Sequence, residues 1–569
     1  RYHDQASGYV ETSLFYKLGR WGSVYKFDVE YSDNLNSSCL YPKSDRFFSL
    51  VASWLQICCE THVECGVHYD VHFKPTRLID VGARRKSPRL IETKNHILKD
   101  SRYLALSHCW GDSMPESART ISSNLSKHIK EIPLRTMPRT FQDAIISTRR
   151  LGLQYLWIDS LCILQDSPND WEVESSLMGK VYSHCFCMLA AAAAKNCHEG
   201  LFPILSELPL LGNDRAQNIP DDPFVLIKPD YPGWDQLFDR SLLNERGWTL
   251  QERELSPRVL YFNKQTILFE CKEARGGERG ESLDASPWSH SRASNQVLFS
   301  KLLLHTYSST IAARALDPVA EGEMDGTAFH STIQKRYKAW REMVQGYSKR
   351  ELSVVSDKLP ALSGLASEFS SLLNDQYIAG LWKGDIIAGL CWNCEFKGRN
   401  YYGRQADYGP SWSWAEMIAP VTYENLHQYV LYRNDSTRQV VERTTKARVL
   451  STEPGWIDPT LLDYSVEPEG KDPNGTLLSA YLFFQGQIRS MERLKIGSCM
   501  IGEDTLEVIW DFLPQSSNQF HLLSLGRIRI GLVLAQDHTE ERTYRRVGIV
   551  PMTKWSWFAG VQFENLTLV

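Results

Sequence analysis

The stretch RGWTLQERELSPR, residues 246–258, decides how the sequence around it folds. Gly247 loosens the backbone at its start, and Pro257 helps to end the helix that the stretch predicts over 248–255. The apolar run Val259–Phe262 then follows as a short strand. A helix joined directly to a buried strand is typical of an α/β fold.

One side chain of this helix has the properties of a catalytic group. Trp248 and Glu252 are four residues apart, so they lie on the same helical face. A carboxylate held beside an indole is partly desolvated, which raises its pKa and makes Glu252 a candidate for catalysis. The structural alternative is a glutamate favoured by the helix dipole or paired with Arg246 or Arg253.

Upstream of this stretch, strands and helices alternate. The apolar runs 103–109, 155–163 and 184–192 predict buried strands, and the amphipathic segments 138–151 and 170–182 predict helices between them. Parallel strands joined by helices form right-handed crossovers. The sequence therefore predicts an α/β domain built on a parallel sheet with flanking helices.

Polar and small residues cluster where these predicted strands end. Open α/β sheets bind ligands at the carboxyl ends of their strands. The predicted site consists of two residues from the central stretch and six from the ends of the first two strands: Arg246, Trp248, Ser107, His108, Trp110, Gly111, Asp159 and Cys162. The alternative for Ser107, His108, Trp110 and Gly111 is that they are turn residues with a buried tryptophan, and Asp159 could instead cap a local turn.

Composition narrows the class of protein. A chain of 569 residues is too long to fold around one hydrophobic core. The 63 basic and 68 acidic residues give a net charge of −5, and the sequence contains no basic tract. The 13 cysteines are irregularly spaced, which argues against a disulfide framework. No apolar run approaches the ~20 residues of a membrane helix, and no signal peptide opens the sequence. We therefore expect a soluble cytoplasmic protein that binds neither nucleic acid nor membrane.

Four regions follow from changes in pattern along the chain. The expected division is 1–95, an N-terminal segment with a helix and a β-hairpin; 96–275, the α/β domain; 276–296, a polar linker; and 297–569, a helical and then β-rich C-terminal region.

A helix predicted over 47–65 raises the question of a metal. It places three metal-ligating side chains at helical spacing on one face, namely Cys58, His62 and Cys65. A fourth ligand is not obvious, although His68 or His72 could serve. The alternative is a packed face of thiols and imidazole, and no bound metal is predicted.

Three blocks of the sequence together resemble a known family. The blocks 103–111, 156–171 and 246–258 are similar to the signature blocks of the fungal heterokaryon-incompatibility (HET) domain. Shorter flanking pieces, such as 356–363 and 410–414, agree with the same family. The resemblance implies a role in fungal non-self recognition, or allorecognition, as an effector of programmed cell death.

A second resemblance concerns the mechanism. The order of strands and helices is similar to the Toll/interleukin-1 receptor (TIR) fold, a flavodoxin-like sheet, in which NAD-cleaving members carry a catalytic Glu in a comparable Trp-x3-Glu helix. The resemblance implies that Glu252 is the catalytic residue of an NAD glycohydrolase (NADase), a hydrolase for which NAD is a substrate and not a prosthetic group. The remaining site residues would line a nucleotide pocket, and Trp248 would stack on a ring. A Cys162 nucleophile with His108 as its base is a rival arrangement.

The sequence leaves open whether the protein is an enzyme. The alternative function is a non-enzymatic signalling module that triggers cell death by protein–protein contacts, with Glu252 as a structural residue. The expected partners are further copies of the chain and an unidentified incompatibility partner protein.

Overall fold

The structure is a computed structural model, and it describes most of the chain. The described residues are 44–202, 241–277, 326–394, 409–423 and 456–569, apart from 64, 66–72, 84–85, 99, 264–265, 496–497, 502, 512–518, 538–540 and 552, together with the strands β1 (Thr12–Lys17), β2 (Val24–Tyr31) and β8 (Val225–Pro229). These three strands form a separate antiparallel sheet. The predicted linker 276–296 lies outside the described residues, except for its first two positions.

An eight-stranded mixed sheet organises the first half of the chain. Its strands are β3 (Arg77–Asp80), β4 (Arg89–Glu92), β5 (Tyr103–Ser107), β6 (Tyr155–Ile158), β7 (Cys187–Ala190), β9 (Arg258–Phe262), β10 (Ile267–Cys271) and β11 (Arg275–Gly277). The spatial order is β11-β10-β9-β7-β5-β6-β3-β4. The four central strands are parallel, whereas the hairpins at both edges are antiparallel. The predicted parallel sheet is thus confirmed, with antiparallel edges added.

Helices connect and cover these strands. They are α1 (Asp45–Thr61), α2 (Leu125–Lys130), α3 (Arg139–Arg150), α4 (Asp159–Cys162), α5 (Pro168–Ser183) and α6 (Thr249–Leu255). Ser167 caps α5 by accepting a hydrogen bond from the Asp170 amide at 3.2 Å. Gly152 follows α3 with φ of +74°, a backbone conformation that glycine adopts without strain.

Two predicted elements end earlier than the sequence pattern indicates. The helix predicted over 47–65 ends at Thr61, because His62 has extended backbone angles. The strand predicted over 155–163 ends at Ile158, where Asp159 begins a single helical turn. The Asp159 carboxylate accepts a hydrogen bond from the Ser160 amide at 2.7 Å, a local bond that competes with the sheet ladder.

The order of the four parallel strands defines where a ligand site is expected. From β5 the chain moves to β6 on one side and later to β7 and β9 on the other. The connection therefore reverses direction between β5 and β7. Doubly wound sheets bind ligands in the crevice at such a switch point, outside the carboxyl ends of the strands.

The second half of the chain is helical and then β-rich, as predicted. Its helices are α7 (Gly326–Tyr347), α8 (Pro360–Leu373) and α9 (Ile386–Gly389). Its strands are β12 (Tyr377–Ile378), β13 (Leu381–Trp382), β14 (Asn393–Cys394), β15 (Val421–Thr422), β16 (Thr460–Pro468), β17 (Leu477–Lys495), β18 (Ser498–Ile501), β19 (Asp504–Glu507), β20 (Ile509–Trp510), β21 (Phe520–Ser524), β22 (Gly531–Gln536), β23 (Thr543–Val550) and β24 (Phe563–Leu568). Pairing runs β17-β21-β22-β23-β24 and returns to β17, which closes a barrel-like sheet.

The two halves share one hydrophobic core. Helix α8 packs against α5 and α6. A Cβ atom on Gly179 would lie 2.7 Å from the Cα of Gly364, so the backbones of α5 and α8 approach each other closely at these glycines. Over the ranges described above, none of the helices combines the length and apolarity that a membrane crossing requires.

Candidate functional site

The candidate site lies at the carboxyl ends of the parallel strands. Ser107 is the last residue of β5, His108 follows it, and Asp159 comes directly after β6. Glu252 reaches this region from α6. It lies close enough to Ser107 and Asp159 for both to affect its pKa. The fold therefore brings together residues from all three sequence blocks.

Glu252 is buried in a setting that favours its neutral form. Its side chain is 7% exposed, and burial raises its pKa to about 7. The Ser107 and Tyr182 hydroxyls and the Arg246 guanidinium lower the pKa, but their effects are smaller than the cost of burial. The Ser107 hydroxyl is close enough to lower this pKa, yet within the described residues neither Ser107 Oγ nor Glu252 Oε2 meets the geometry of a hydrogen bond with a partner. Buried polar atoms are normally paired, so these atoms point to a ligand site.

The structural alternative for Glu252 can be compared with the contacts of the two arginines. Arg253 forms ion pairs with Glu270 at 3.0 Å and with Glu254 at 3.2 Å. Arg246 donates to the backbone oxygen of His108 at 2.6 Å. In these contacts both guanidinium groups bind partners other than Glu252.

His108 is a neutral, buried imidazole. Burial lowers its pKa to about 4, so the ring is uncharged at neutral pH. Its Nδ1 lies 3.9 Å from Asp159 Oδ1, and neither ring nitrogen has a hydrogen-bond partner among the described residues. Phe141 packs edge-on against the ring, with 5.0 Å between the ring centroids. His108 can therefore donate or accept one hydrogen bond to a ligand.

Three of the predicted residues, Trp110, Gly111 and Asp159, form a partly exposed rim of the site. The Trp110 indole donates to Asp159 Oδ2 at 2.8 Å, which fixes both side chains. Gly111 has φ of +73°, and a Cβ atom there would lie 2.4 Å from the Cβ of Asn196. The loops after β5 and β7 thus meet at the switch point, and only glycine allows this approach.

Trp248 contacts the second half of the chain. Its indole nitrogen donates to Asp357 Oδ2 at 3.1 Å, and the side chain is half-buried. The expectation that Trp248 stacks on a ligand ring stays a prediction. The polar end of the indole already has a structural partner.

Cys162 occupies a different environment from the other predicted residues. It ends α4 and is fully buried, and burial raises its pKa to about 12. A thiol with this pKa is protonated at neutral pH, whereas a nucleophilic cysteine acts as the thiolate. The structure therefore gives the arrangement of a Cys162 nucleophile with His108 as base no support.

Two contributors to the site were not predicted from the sequence. The Tyr182 hydroxyl donates to the backbone oxygen of Leu106 at 3.3 Å and also affects the pKa of Glu252. Asp357 binds Trp248, although they are 109 positions apart. Tyr182 lies on the sheet-facing side of a helix, where an aromatic residue looks like core. Asp357 is in a block that resembles the family, which was the available signal.

Comparison with known proteins identifies the class of this domain. The family model described as Heterokaryon incompatibility protein (HET) matches residues 103–252, from the first residue of β5 to Glu252. No curated protein matches the chain, and no solved structure matches it.

The protein therefore carries a HET domain, as its three sequence blocks predicted. A HET domain implies a function of the heterokaryon-incompatibility type. The matched region contains both the switch point and the buried Glu252.

Proposed function

We propose that this protein is a cell-death effector whose HET domain hydrolyses the bond between nicotinamide and ribose in NAD. The observation that carries the proposal is Glu252, a buried carboxyl with a pKa of about 7 and one oxygen that has no hydrogen-bond partner among the residues that the structure describes. Strongly perturbed carboxyl groups beside other unpaired polar atoms are typical of catalytic sites.

The fold gives secondary support. The parallel strands have the spatial order of a doubly wound sheet, and such sheets bind nucleotides at the switch point. The Trp-x3-Glu spacing of Trp248 and Glu252 is similar to that of NAD-cleaving TIR domains. The TIR-like fold itself is part of the proposal.

The proposed reaction needs little acid catalysis. The bond between ribose C1′ and the pyridinium nitrogen breaks, and nicotinamide leaves as a neutral molecule with the electron pair. The ribose becomes oxocarbenium-like, and the ionised Glu252 carboxylate stabilises that positive charge. Water then attacks C1′, which yields ADP-ribose and a proton.

Other residues would position the substrate. Ser107 Oγ and the nitrogens of neutral His108 have no hydrogen-bond partner of good geometry in the described part of the chain, and they would hydrogen-bond ribose hydroxyls. Arg246 would contribute positive charge toward the diphosphate, since its guanidinium lies near enough to lower the pKa of Glu252. Trp110, Gly111 and Asp159 would form the rim of the nucleotide pocket.

The experiment is NAD consumption by the purified full-length protein, with nicotinamide release measured by chromatography. Wild type is compared with Glu252→Gln, which preserves size and removes the charge. We expect the substitution to lower the rate by about 100-fold or more, as expected for the loss of a group that stabilises transition-state charge.

Glu174→Gln is a matched control. Glu174 is also a buried glutamate with a raised pKa, and its Oε2 likewise lacks a hydrogen-bond partner in the described ranges, but it lies on α5 near Arg77. The control variant should retain wild-type activity. Equal activity of wild type and Glu252→Gln would contradict the proposal and favour the alternative function, a module that acts by protein–protein contacts.

A further inference from the structure

A second cluster of reactive side chains lies away from Glu252. Cys58, His62 and Cys65 come together with Cys271, the last residue of β10. Cys271 pairs in register with Arg258, the first residue of β9. The cluster is therefore at the amino end of the parallel strand β9, opposite to the end where the candidate site lies.

The geometry points to a structural zinc site, and we propose that Cys58, His62, Cys65 and Cys271 bind one Zn²⁺ ion. Their ligand atoms all lie within 4.8 Å of one another. Cys271 Sγ is 3.3 Å from His62 Nδ1. A tetrahedral zinc site with three sulfurs and one nitrogen has edges of about 3.8 Å, so small shifts complete it.

The surroundings of the cluster suit a metal with thiolate ligands. The backbone amide of Ala274 donates to Cys271 Sγ at 3.2 Å. The buried Arg258 guanidinium donates to Cys58 Sγ at 3.2 Å and to the Cys65 backbone oxygen at 3.3 Å. Three thiolates and one Zn²⁺ carry a net charge of −1, which the Arg258 cation balances.

This arrangement differs in two respects from the one predicted from the sequence. Cys271 supplies the fourth ligand, whereas His68 and His72 lie outside the described residues. The three N-terminal ligands meet because the chain turns after Thr61, and not because one helix presents them all. The sequence predicted no bound metal, whereas the proposal is one bound zinc ion.

The site would fasten the N-terminal helix to the sheet. Cys58 lies on α1, whereas Cys271 ends a strand that follows the whole HET domain, residues 103–252. The ion would therefore close a loop that contains the entire domain. A cross-link across so long a loop restricts the unfolded chain strongly.

The first test is metal analysis of the full-length protein, expressed without a histidine tag and purified without chelators. We expect about one zinc per chain in the wild type. Cys271→Ser should lower the zinc content about tenfold or more. Cys59→Ser is the matched control, because Cys59 is exposed and adjacent to Cys58 but outside the cluster. This variant should keep its zinc.

A second measurement uses only wild-type protein, in case Cys271→Ser does not fold. Zinc is exchanged for Co²⁺, and absorption spectra are recorded. Three thiolate ligands predict an intense sulfur-to-cobalt charge-transfer band and visible bands of a tetrahedral site. Folded wild type that contains no zinc after growth with added zinc, or Co²⁺ that binds without the thiolate band, would overturn the proposal.

Discussion

At the scale of the residue, the protonation of Glu252 decides how the proposed site works. Burial places its pKa at about 7, so both forms are present at neutral pH. The proposed reaction uses the ionised form to stabilise an oxocarbenium-like ribose. His108 does not titrate in this range, because its pKa is about 4.

The first prediction concerns the pH dependence of activity. We expect kcat/KM for NAD to rise with pH and to level off above an apparent pKa of about 7, because the carboxylate is the active form. Initial rates between pH 5.5 and 8.5 measure this profile. A rate that falls across the same range would instead identify the protonated carboxyl as the active form.

The second prediction concerns stability. The folded pKa of Glu252, about 7, exceeds its ordinary value of 4.5, so the folded protein is penalised as pH rises between these values. The penalty is complete above pH 7 and disappears below the unfolded pKa. Glu252→Gln removes it, and should stabilise the HET domain at pH 8 by up to about 3 kcal/mol.

The measurement is the apparent melting temperature of both proteins at pH 5 and pH 8. The difference between Glu252→Gln and wild type should be larger at pH 8. The assigned environment of Glu252 would be contradicted if this difference in melting temperature were the same at both pH values. It would also be contradicted if the difference were smaller at pH 8 than at pH 5.

At the scale of the element, the short helix α6 depends on the second half of the chain. The Gly247 amide donates to the Glu351 backbone oxygen at 2.7 Å, and the Gly364 amide donates to Gln251 Oε1 at 3.1 Å. With the bond from Trp248 to Asp357, these contacts hold α6 from its amino end to its middle. The position of Glu252 is therefore set jointly by both halves.

The third prediction tests this dependence at Gly247. A Cβ atom at this position would lie 2.4 Å from Leu352 Cδ2, so Gly247→Ala displaces Leu352. We expect a loss of about 1–3 kcal/mol in stability, as for other overpacked sites, and reduced activity because α6 shifts. Thermal unfolding and NAD consumption measure the two effects.

Gly346→Ala is the matched control for this prediction. Gly346 lies in α7, and a Cβ atom there meets nothing within 4 Å. Alanine should stabilise this helix by about 0.5–1 kcal/mol and leave activity unchanged. If Gly247→Ala behaved like Gly346→Ala, the close contact of Gly247 with Leu352 would have no role.

The sequence predicted these elements unevenly, for physical reasons. Helical spacing and the following strand predicted α6 and β9 almost to the residue. Gly247 was expected to loosen the backbone. In the structure its small size permits the close contact with Leu352, and its conformational freedom is not used. Local patterns report propensity, whereas a close contact between distant segments depends on the completed fold.

At the scale of the whole molecule, the parallel sheet and the meeting of the candidate residues at its edge were predictable, whereas the long-range partners were not. Ser107, His108, Asp159 and Glu252 were identified because they follow strands or lie in a distinctive helix. The proximity of Cys271 to Cys58 was not predicted, because no periodicity connects Cys271 with the helix that carries Cys58. The barrel closure through β24 likewise requires pairing that short apolar runs do not specify.

The fourth prediction concerns self-association. TIR domains commonly act when assembled, and the proposed NADase activity is expected to share this property. NAD consumption per mole of protein should therefore rise with protein concentration, in parallel with the oligomer fraction measured by light scattering. Full activity in a dilute sample that contains only monomer would contradict this expectation.

The proposal that this protein kills cells by cleaving NAD, with Glu252 as the catalytic residue, can be tested in living cells. Full-length wild type and Glu252→Gln are induced at equal levels, and NAD content and viability are followed in the same cultures. Wild type is expected to deplete NAD before viability falls, whereas Glu252→Gln should change neither. Equal killing by both proteins with NAD intact would contradict the proposal.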